Sequence, residues 1–488
     1  MAPVDKERVL KGLKAIVGEK GVLHRLEDVI VYEQDAFVMR ALPDFVVFPT
    51  STKDVQGIVR FARSEGLPIV ARGAGTSVSG GAIPVTGGII VSFSRMNHVL
   101  EVDAENRCAV VEPGVINLDI TRAVSPYGYF YAPDPSSQMV CTIGGNVAEN
   151  AGGIHGVAYG VTTNHILGLE VVLADGEVVE LGGKSPDSLG YDLVGLVVGS
   201  EGTLGIVTKI TVKLTRRRES VATMVIVFKT LVDASRTVAE IVARGVLPSS
   251  MELMDEMAVE AVEKAIHYGF PPDAGAVLLV ELEGLTEAID RPYEMVKDIA
   301  ERNRAREIRT AATEEERQHL WKGRKGVFAA VSIIAPNQFT QDGCVPRPKL
   351  PEVLEKIGAI AERYSLAIAN VAHAGDGNLH PLIMFDPREP GELEKVIEAG
   401  AEILRLCVEV GGTITGEHGI GIEKNDYMSW LFSAHDIEAM KAIKSIFDPE
   451  GMLNPGKIFV SELSPNEIRT ESIGATAGKS RRGSGMWV

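Results

Sequence analysis

The sequence predicts an α+β protein built from two unlike sheet-bearing regions and a C-terminal helical segment. Three observations lead there. Short apolar strands alternate with amphipathic helices up to a basic run, Arg216-Arg217-Arg218. Beyond that run the order becomes strand, helix, strand, strand, helix, strand, the βαββαβ pattern of a ferredoxin-like antiparallel sheet. Four glycine-rich segments crowd the first region, whereas a pair of histidines stands in the second. The division expected is an N-terminal helical segment over 1–40, a first domain over 41–218, a cap domain over 219–425 and a helical segment with a tail over 426–488.

Along the chain, Val9, Leu10, Leu13, Ile16 and Val17 form one apolar stripe on a first helix. A strand over 45–48 precedes a helix over 53–65, whose Val55, Ile58, Val59 and Ala62 share a face. Strands follow over 68–71, 88–93 and 107–112. Residues 113–160, rich in Gly, Pro, Asn and Ser, read as loop. Strands resume over 166–173, 177–181 and 204–214, and the basic run reads as a solvated linker. The βαββαβ elements span 221–228, 232–244, 250–254, 276–283, 286–303 and 305–309. Helices near 314–331, 351–364 and 390–410 surround a strand pair over 367–373 and 379–385. The polar, glycine-rich residues from 474 onward read as a mobile tail.

Composition narrows the function. At 488 residues, 45% hydrophobic and 24% charged, the chain has the balance of a globular protein of roughly two to four domains. Acids outnumber Lys and Arg by 66 to 49, and the net charge of −17 disfavours nucleic acid and anionic membranes as partners. A site for an anionic ligand must then gather arginine or a metal locally. Cys108, Cys141, Cys344 and Cys407 lie far apart with no CxxC pair, which argues against a thiolate zinc site or an iron–sulfur cluster and suits a reducing compartment. The first twenty residues mix acids with bases, unlike a signal or transit peptide, and no apolar run approaches membrane-spanning length. The cytoplasm is the expected location.

The loop Ala71-Arg72-Gly73-Ala74-Gly75-Thr76-Ser77-Val78-Ser79-Gly80-Gly81 follows a strand. A Rossmann loop would need glycine at Val78 and then a helix, and both are missing. A glycine loop between strands can instead gather successive N–H groups around a pyrophosphate, with Thr76 and Ser77 adding hydroxyls. Alone it could equally be a plain turn. It is joined by Pro133-Asp134-Pro135-Ser136-Ser137, Thr142-Ile143-Gly144-Gly145-Asn146, Glu149-Asn150-Ala151-Gly152-Gly153 and Gly199-Ser200-Glu201-Gly202-Thr203. So many segments of high backbone entropy suit an extended, phosphate-bearing ligand.

His373-Ala374-Gly375-Asp376-Gly377-Asn378-Leu379-His380 is the second signal. An Asp376-Gly377 two-residue turn would place His373 opposite His380 across a hairpin, on one face. Such a pair is either two core histidines or two metal ligands. Thr415-Gly416-Glu417-His418-Gly419-Ile420-Gly421 offers a third ligand, because its glycines free the backbone; the alternative is a turn whose side chains bond the backbone. Two imidazoles and a carboxylate suit catalytic zinc, and manganese, iron or cobalt as well.

In this order the segments resemble the FAD domain of the vanillyl-alcohol oxidase and p-cresol methylhydroxylase (PCMH) superfamily, above all its D-lactate dehydrogenase and glycolate oxidase branch. The resemblance spans nearly the whole chain. It implies a two-subdomain PCMH-type FAD-binding domain, a ferredoxin-like cap and a C-terminal segment returning to the FAD domain. Arg72, Gly73, Ala74, Gly75, Thr76 and Ser77 would then hold the pyrophosphate. Pro133, Ser137, Thr142, Ile143, Gly144, Gly145, Glu149, Asn150, Ala151, Gly152 and Ile206 would line the rest of FAD, and Asn454 would approach its ring. Because the first loop carries no histidine, noncovalent FAD is expected, with His155 a structural or polar-contact residue. His373, His380 and Glu417 would bind the metal and His418 would be the general base. Asn378 would touch substrate, and Arg324 would anchor its carboxylate, with Arg347 and Lys322 as competitors. The implied reaction oxidises a small 2-hydroxy acid such as D-lactate or glycolate. Electrons would pass to an iron–sulfur subunit, an electron-transferring flavoprotein or a quinone, and a homodimer is compatible with this. Two rivals are an alkylglycerone-phosphate synthase-like transferase and a non-catalytic FAD subunit of an electron-transfer complex.

Overall fold

The computed structural model describes residues 5–185, 190–460 and 471–472, so the tail expected to be mobile from 474 lies outside the described residues. Two compact units divide the chain. The first comprises residues 1–151, 161–216 and 417–488, and the second residues 152–160 and 217–416. Their boundary falls inside the basic run, whose three arginines are exposed. No helix among the described residues is long and apolar enough to cross a membrane.

In the first unit, helix Lys6–Val17 starts at Asp5, whose carboxylate accepts from the Arg8 amide. It buries Val9 and Leu13 with Val55, Ile58, Val59 and Ala62 of helix Thr52–Glu65, so the N-terminal segment shares this unit's core. A four-stranded sheet runs Val22–Leu23, Phe45–Val47, Ile89–Ser92, Ile69–Arg72, the last three parallel. Parallel neighbours need a crossover of a dozen or more residues, usually a helix. Here the crossover from Arg72 to Ile89 is the glycine loop itself, with no helix in it. The loop therefore leaves the carboxyl end of the sheet, where open α/β sheets bind ligands. A second, antiparallel sheet runs Val178–Gly182, Ile166–Val172, Ile206–Lys213, Cys108–Val111, Val99–Asp103. In its central strand Ile206, Thr208, Ile210 and Val212 are buried alternately, the period of two that a half-buried strand requires.

The stretch 113–160, expected as loop, contains helices Asn117–Val124, Ile143–Glu149 and Gly156–Tyr159. Glycines at 144 and 145 concealed the middle one, since each lowers helix propensity by about 1 kcal/mol. The caps rescue it. The Thr142 hydroxyl accepts from the Gly145 amide, and Asn150 closes the helix in the left-handed conformation.

The second unit is one large antiparallel sheet. Strands Glu307–Thr310, Ser220–Phe228, Ala276–Gly284 and Ser250–Asp255 stand in that order, the ferredoxin-like arrangement expected. The sheet continues through Ala367–His373, Asn378–Phe385 and Asn337–Thr340, with Gly343–Cys344 also on Asn378–Phe385. The helix expected over 314–331 breaks at Gly326 into Glu314–Lys325 and Val327–Ala330. Helix Glu256–Ile266, which periodicity did not single out, packs Val259 and Val262 into the core beneath the sheet, with Met254, Val277, Leu279, Val371 and Leu382.

Candidate active site

In the second unit the histidine hairpin differs in register from expectation. His373 pairs with Asn378, Ala372 with Leu379 and Val371 with His380, so His373 does not face His380. The turn takes four residues because the Asp376 and Gly377 amides both donate to the His373 carbonyl, each at 3.1 Å. A slip of two residues preserves the face, whereas a slip of one would have split the pair. His373, Asn378 and His380 therefore project from one side, the imidazole centroids 4.9 Å apart and nearly perpendicular.

Neighbouring strands extend this row. Glu252 lies opposite His373, and Cys344 lies opposite Asn378. The Glu252 carboxylate is 2.8 and 3.0 Å from Nδ1 of His373 and 2.7 Å from Nη2 of Arg324. Glu252 is fully buried and Arg324 only 1% exposed, so this is a desolvated Arg–Glu–His line. A carboxylate on Nδ1 fixes ring and tautomer and leaves Nε2 to act as a ligand. Nε and Nη1 of Arg324 and Oδ1 of Asn378 are buried without a hydrogen-bond partner among the described residues. Asp342, also fully buried, lies 3.8 Å from Nδ1 of His380. It also accepts from the Thr415 hydroxyl at 2.6 Å and the Gly416 amide at 2.9 Å, pinning the chain just before Glu417.

Helix Glu314–Lys325 explains the arginine. Arg317, Leu320, Trp321 and Arg324 recur at the 3–4 spacing of one helical face, and three glutamates and three bases complement the dipole at its two ends. Arg317 reaches Glu281 as Arg324 reaches Glu252. Glu281 takes five hydrogen bonds, from Thr223 (2.6 Å), Trp321 (2.7 Å), Arg317 (2.8 Å twice) and His155 (3.1 Å). Burial opposes its charge, but His155 and Arg317 overcome that and hold it well below the usual carboxylate range. His155, Glu281 and Glu283 lie close enough to bracket an ion. With Glu281 already saturated, this group is a hydrogen-bonded hub, and His155 holds structure there. Of the other two bases, Lys322 is exposed and Arg347 donates to the Gly375 carbonyl, whereas Arg324 is buried against Glu252.

In the first unit the amides from Ala74 to Val78 donate to no protein acceptor among the described residues. Arg72 is buried behind them, its guanidinium donating to the carbonyls of Gln34 (2.7 Å) and Ala82 (3.5 Å). A Cβ on Gly73 would meet Thr142 Oγ1 at 2.1 Å, and one on Gly81 would meet Glu149 Oε1 at 2.1 Å, so loop and helix touch only because both are glycine. The Pro133 carbonyl accepts from Asn117, the Ser137 carbonyl from the Val140 and Cys141 amides, the Ala151 carbonyl from Thr162, and Asn150 Oδ1 from the Thr163 amide. Ile206 is buried at the head of its strand, and Gly152 belongs to the second unit. Burial, with the nearby Glu201 and Asp35, pushes the Glu149 carboxyl well above its usual range, and its Oε2 has no hydrogen-bond partner among the described residues. Asn454 Nδ2 donates to the carbonyls of Gly81 (2.9 Å) and Glu201 (2.6 Å), bracing the loop.

Residues 43–182 match the FAD binding domain family, and residues 217–458 the C-terminal domain family of FAD linked oxidases. The chain is 45% identical to the glycolate oxidase subunit GlcD of Escherichia coli K12 over 93% of this chain and 91% of that protein. It is 37% identical to a D-lactate dehydrogenase of Archaeoglobus fulgidus over 86% and 92%. The chain belongs to the FAD-linked oxidase family. Among solved structures, 4-ethylphenol oxidase from Gulosibacter chungangensis shares the fold at a TM-score of 0.78 and 22% identity, over 93% of this chain and 97% of that one. p-Cresol methylhydroxylase does so at 0.77 and 18%, over the same shares. The PCMH-type expectation holds, and the chain is an FAD-linked oxidoreductase.

FAD fits the first unit. Unengaged amides on a loop at the end of a parallel sheet, facing the capped start of helix Ile143–Glu149, are what a pyrophosphate requires. Sequence reasoning missed Glu252, Asp342 and the bracing role of Glu201. The available signal was an acid in an otherwise apolar strand, as in Met251-Glu252-Leu253-Met254, since such acids stay buried only when partnered.

Proposed function

We propose that the chain is an FAD-dependent dehydrogenase oxidising a small 2-hydroxy acid, of the size of glycolate or D-lactate, to the 2-oxo acid, with FAD held noncovalently. The observation carrying this reading is the buried Arg324–Glu252–His373 line beside Asn378 and His380. It sets guanidinium donors for a carboxylate and imidazoles for a hydroxyl on one sheet face.

In this reading Arg324 takes the substrate carboxylate with its remaining donors, and Asn378 Oδ1 orients the hydroxyl. His418 removes the hydroxyl proton, a task for which imidazole, with an ordinary pKa of ~6.5, suits neutral pH. FAD, when bound, supplies the acceptor for the hydride that leaves Cα. His373, His380 and Glu417 would hold a divalent ion, Zn²⁺ before Mn²⁺, Fe²⁺ or Co²⁺, which as a Lewis acid lowers the pKa of the substrate hydroxyl. The carboxylate on His373 Nδ1 fits such a role. The cysteines are not disulfide-bonded and lie far apart in sequence, so electrons leave to a separate acceptor, an iron–sulfur subunit, an electron-transferring flavoprotein or a quinone. We place this chemistry in the cytoplasm.

Anaerobic mixing of the flavin-loaded protein with glycolate, D-lactate, L-lactate and D-2-hydroxyglutarate tests the proposal. One of them should bleach the flavin. If none does while flavin is bound, the transferase or the non-catalytic subunit takes its place. His418→Asn should keep its flavin and lose about 10²-fold or more in flavin reduction. Wild-type reduction in that variant removes His418 from the base role.

A further inference from the structure

We propose that Glu201 is a positioning residue, fixing from within the first unit the loop that carries Glu417 and His418. The inference rests on the reading of His418 as the base.

Glu201 occupies the turn Ser200-Glu201-Gly202 with φ +53°, a left-handed conformation that L residues rarely adopt, and only 4% of it is exposed. Its two carboxylate oxygens accept from consecutive amides, Ile420 N at 2.7 Å and Gly421 N at 2.9 Å. One anion gripping two adjacent N–H groups is a bidentate, charge-assisted contact. Gly421, at φ +57°, permits it: a Cβ there would meet the Ser79 carbonyl at 2.0 Å.

Further contacts hold the same loop. Ser79 Oγ donates to the His418 carbonyl at 2.8 Å, and the Ser79 carbonyl accepts from the Ile422 amide at 3.0 Å. Lys424, fully buried, donates to the Gly419 carbonyl at 3.0 Å. The Glu201 backbone is in turn tied by Asn454 to Gly81 of the glycine loop. The carbonyl of His418 and the amides of residues 420 to 422 are thus built into the frame that forms the cofactor loop. Strained conformations persist where surrounding structure over-determines them. At Glu201 the strain is maintained because it aims the carboxylate at the loop.

The test uses the full-length, flavin-loaded protein. Glu201→Gln keeps the size but turns an NH₂ toward one amide, and Glu201→Gly relieves the left-handed φ while removing the carboxylate. Both should keep the flavin-to-protein ratio, accelerate amide hydrogen exchange over residues 418–422 by about 10-fold or more, and slow flavin reduction by about 10- to 100-fold. Substrate KM should move by less than about threefold, since the contact acts on the base rather than on substrate binding. Unchanged exchange over 418–422 in both variants overturns the proposal. So does loss of flavin with that exchange unchanged, which makes Glu201 a cofactor contact. If neither variant folds, Ser79→Ala probes the same frame: faster exchange at 418–422 with a several-fold slower reduction supports the proposal, and wild-type values for both overturn it. His418→Asn measured alongside separates the two claims, because exchange reports on positioning even if His418 proves not to be the base.

Discussion

The two units prepare their ligand sites by opposite means. In the first, the backbone is what the glycine loop offers: the amides from Ala74 to Val78 have no protein acceptor among the described residues, while Arg72 and Asn454 brace the loop from behind. In the second, the backbone is consumed in the sheet, and the proposed chemistry would rest on side chains from one face, Glu252, His373, Asn378 and His380, with Arg324 of a helix paired to Glu252. The first unit should accordingly be intolerant of an added Cβ, and the second of a removed functional group.

The largest expected effect lies in the second unit. Glu252→Ala leaves the buried Arg324 and His373 without their common anion. Breaking a buried ion pair by removing one partner costs roughly 3–5 kcal/mol. Calorimetry should show that loss, and metal analysis a drop in bound ion, while the flavin of the first unit stays bound at low temperature. A loss under about 1 kcal/mol would mean that the line is solvated and that the contrast between the units is overstated.

Next comes Gly73→Ala. The new methyl group would sit 2.1 Å from Thr142 Oγ1, the atom that caps helix Ile143–Glu149. Losing a cap costs about 1 kcal/mol and overpacking about 1–3 kcal/mol, so FAD should bind about 10- to 100-fold more weakly, read by titration of the apoprotein. Wild-type affinity would show that the loop yields, and that backbone shape is not what the first unit supplies.

This contrast also explains what could be read from the sequence. Apolar patterning located most strands of both units and the βαββαβ order, but not Val22–Leu23, Val99–Asp103 or Asn337–Thr340, which are short or carry too little apolar signal of their own. The glycine segments announced an extended ligand because only close backbone approach makes so many glycines useful. Register was harder: an Asp-Gly pair favours a two-residue turn locally, and nothing in the local sequence shows that the His373 carbonyl will draw in two amides and widen it. Buried acids were hardest. Glu252, Glu201 and Asp342 find partners 121, 219 and 73 residues away in sequence, pairings that exist only after the chain has folded.

The smallest expected effect is proton linkage, where the units first agree and then part. Asp35 in the first accepts from the amides of Phe37 (2.9 Å) and Ala82 (3.2 Å). Asp255 in the second caps its helix through Ala258 (2.9 Å) and takes both N–H groups of Asn370 (2.7 and 2.9 Å). Burial outweighs these bonds and pushes both carboxyls up to about 6. Between their ordinary 3.8 and about 6, the folded protein keeps protons that the unfolded chain has released. Stability therefore falls as pH rises through that window, by at most about 1.4 kcal/mol per pH unit for each group. Asp35→Asn and Asp255→Asn should each flatten part of the decline in melting temperature between about pH 4.5 and 6.5. At the alkaline end the first unit departs from this. Burial pushes its Lys457 down to about 8, so above that pH the folded state has lost a proton that the unfolded chain retains, and stability should rise with pH toward about 10. Lys457→Met should abolish that rise and leave the acid-side decline in place. A rise that survives the substitution would remove Lys457 as its source and assign it to Lys444 of the same unit, which burial also pushes down.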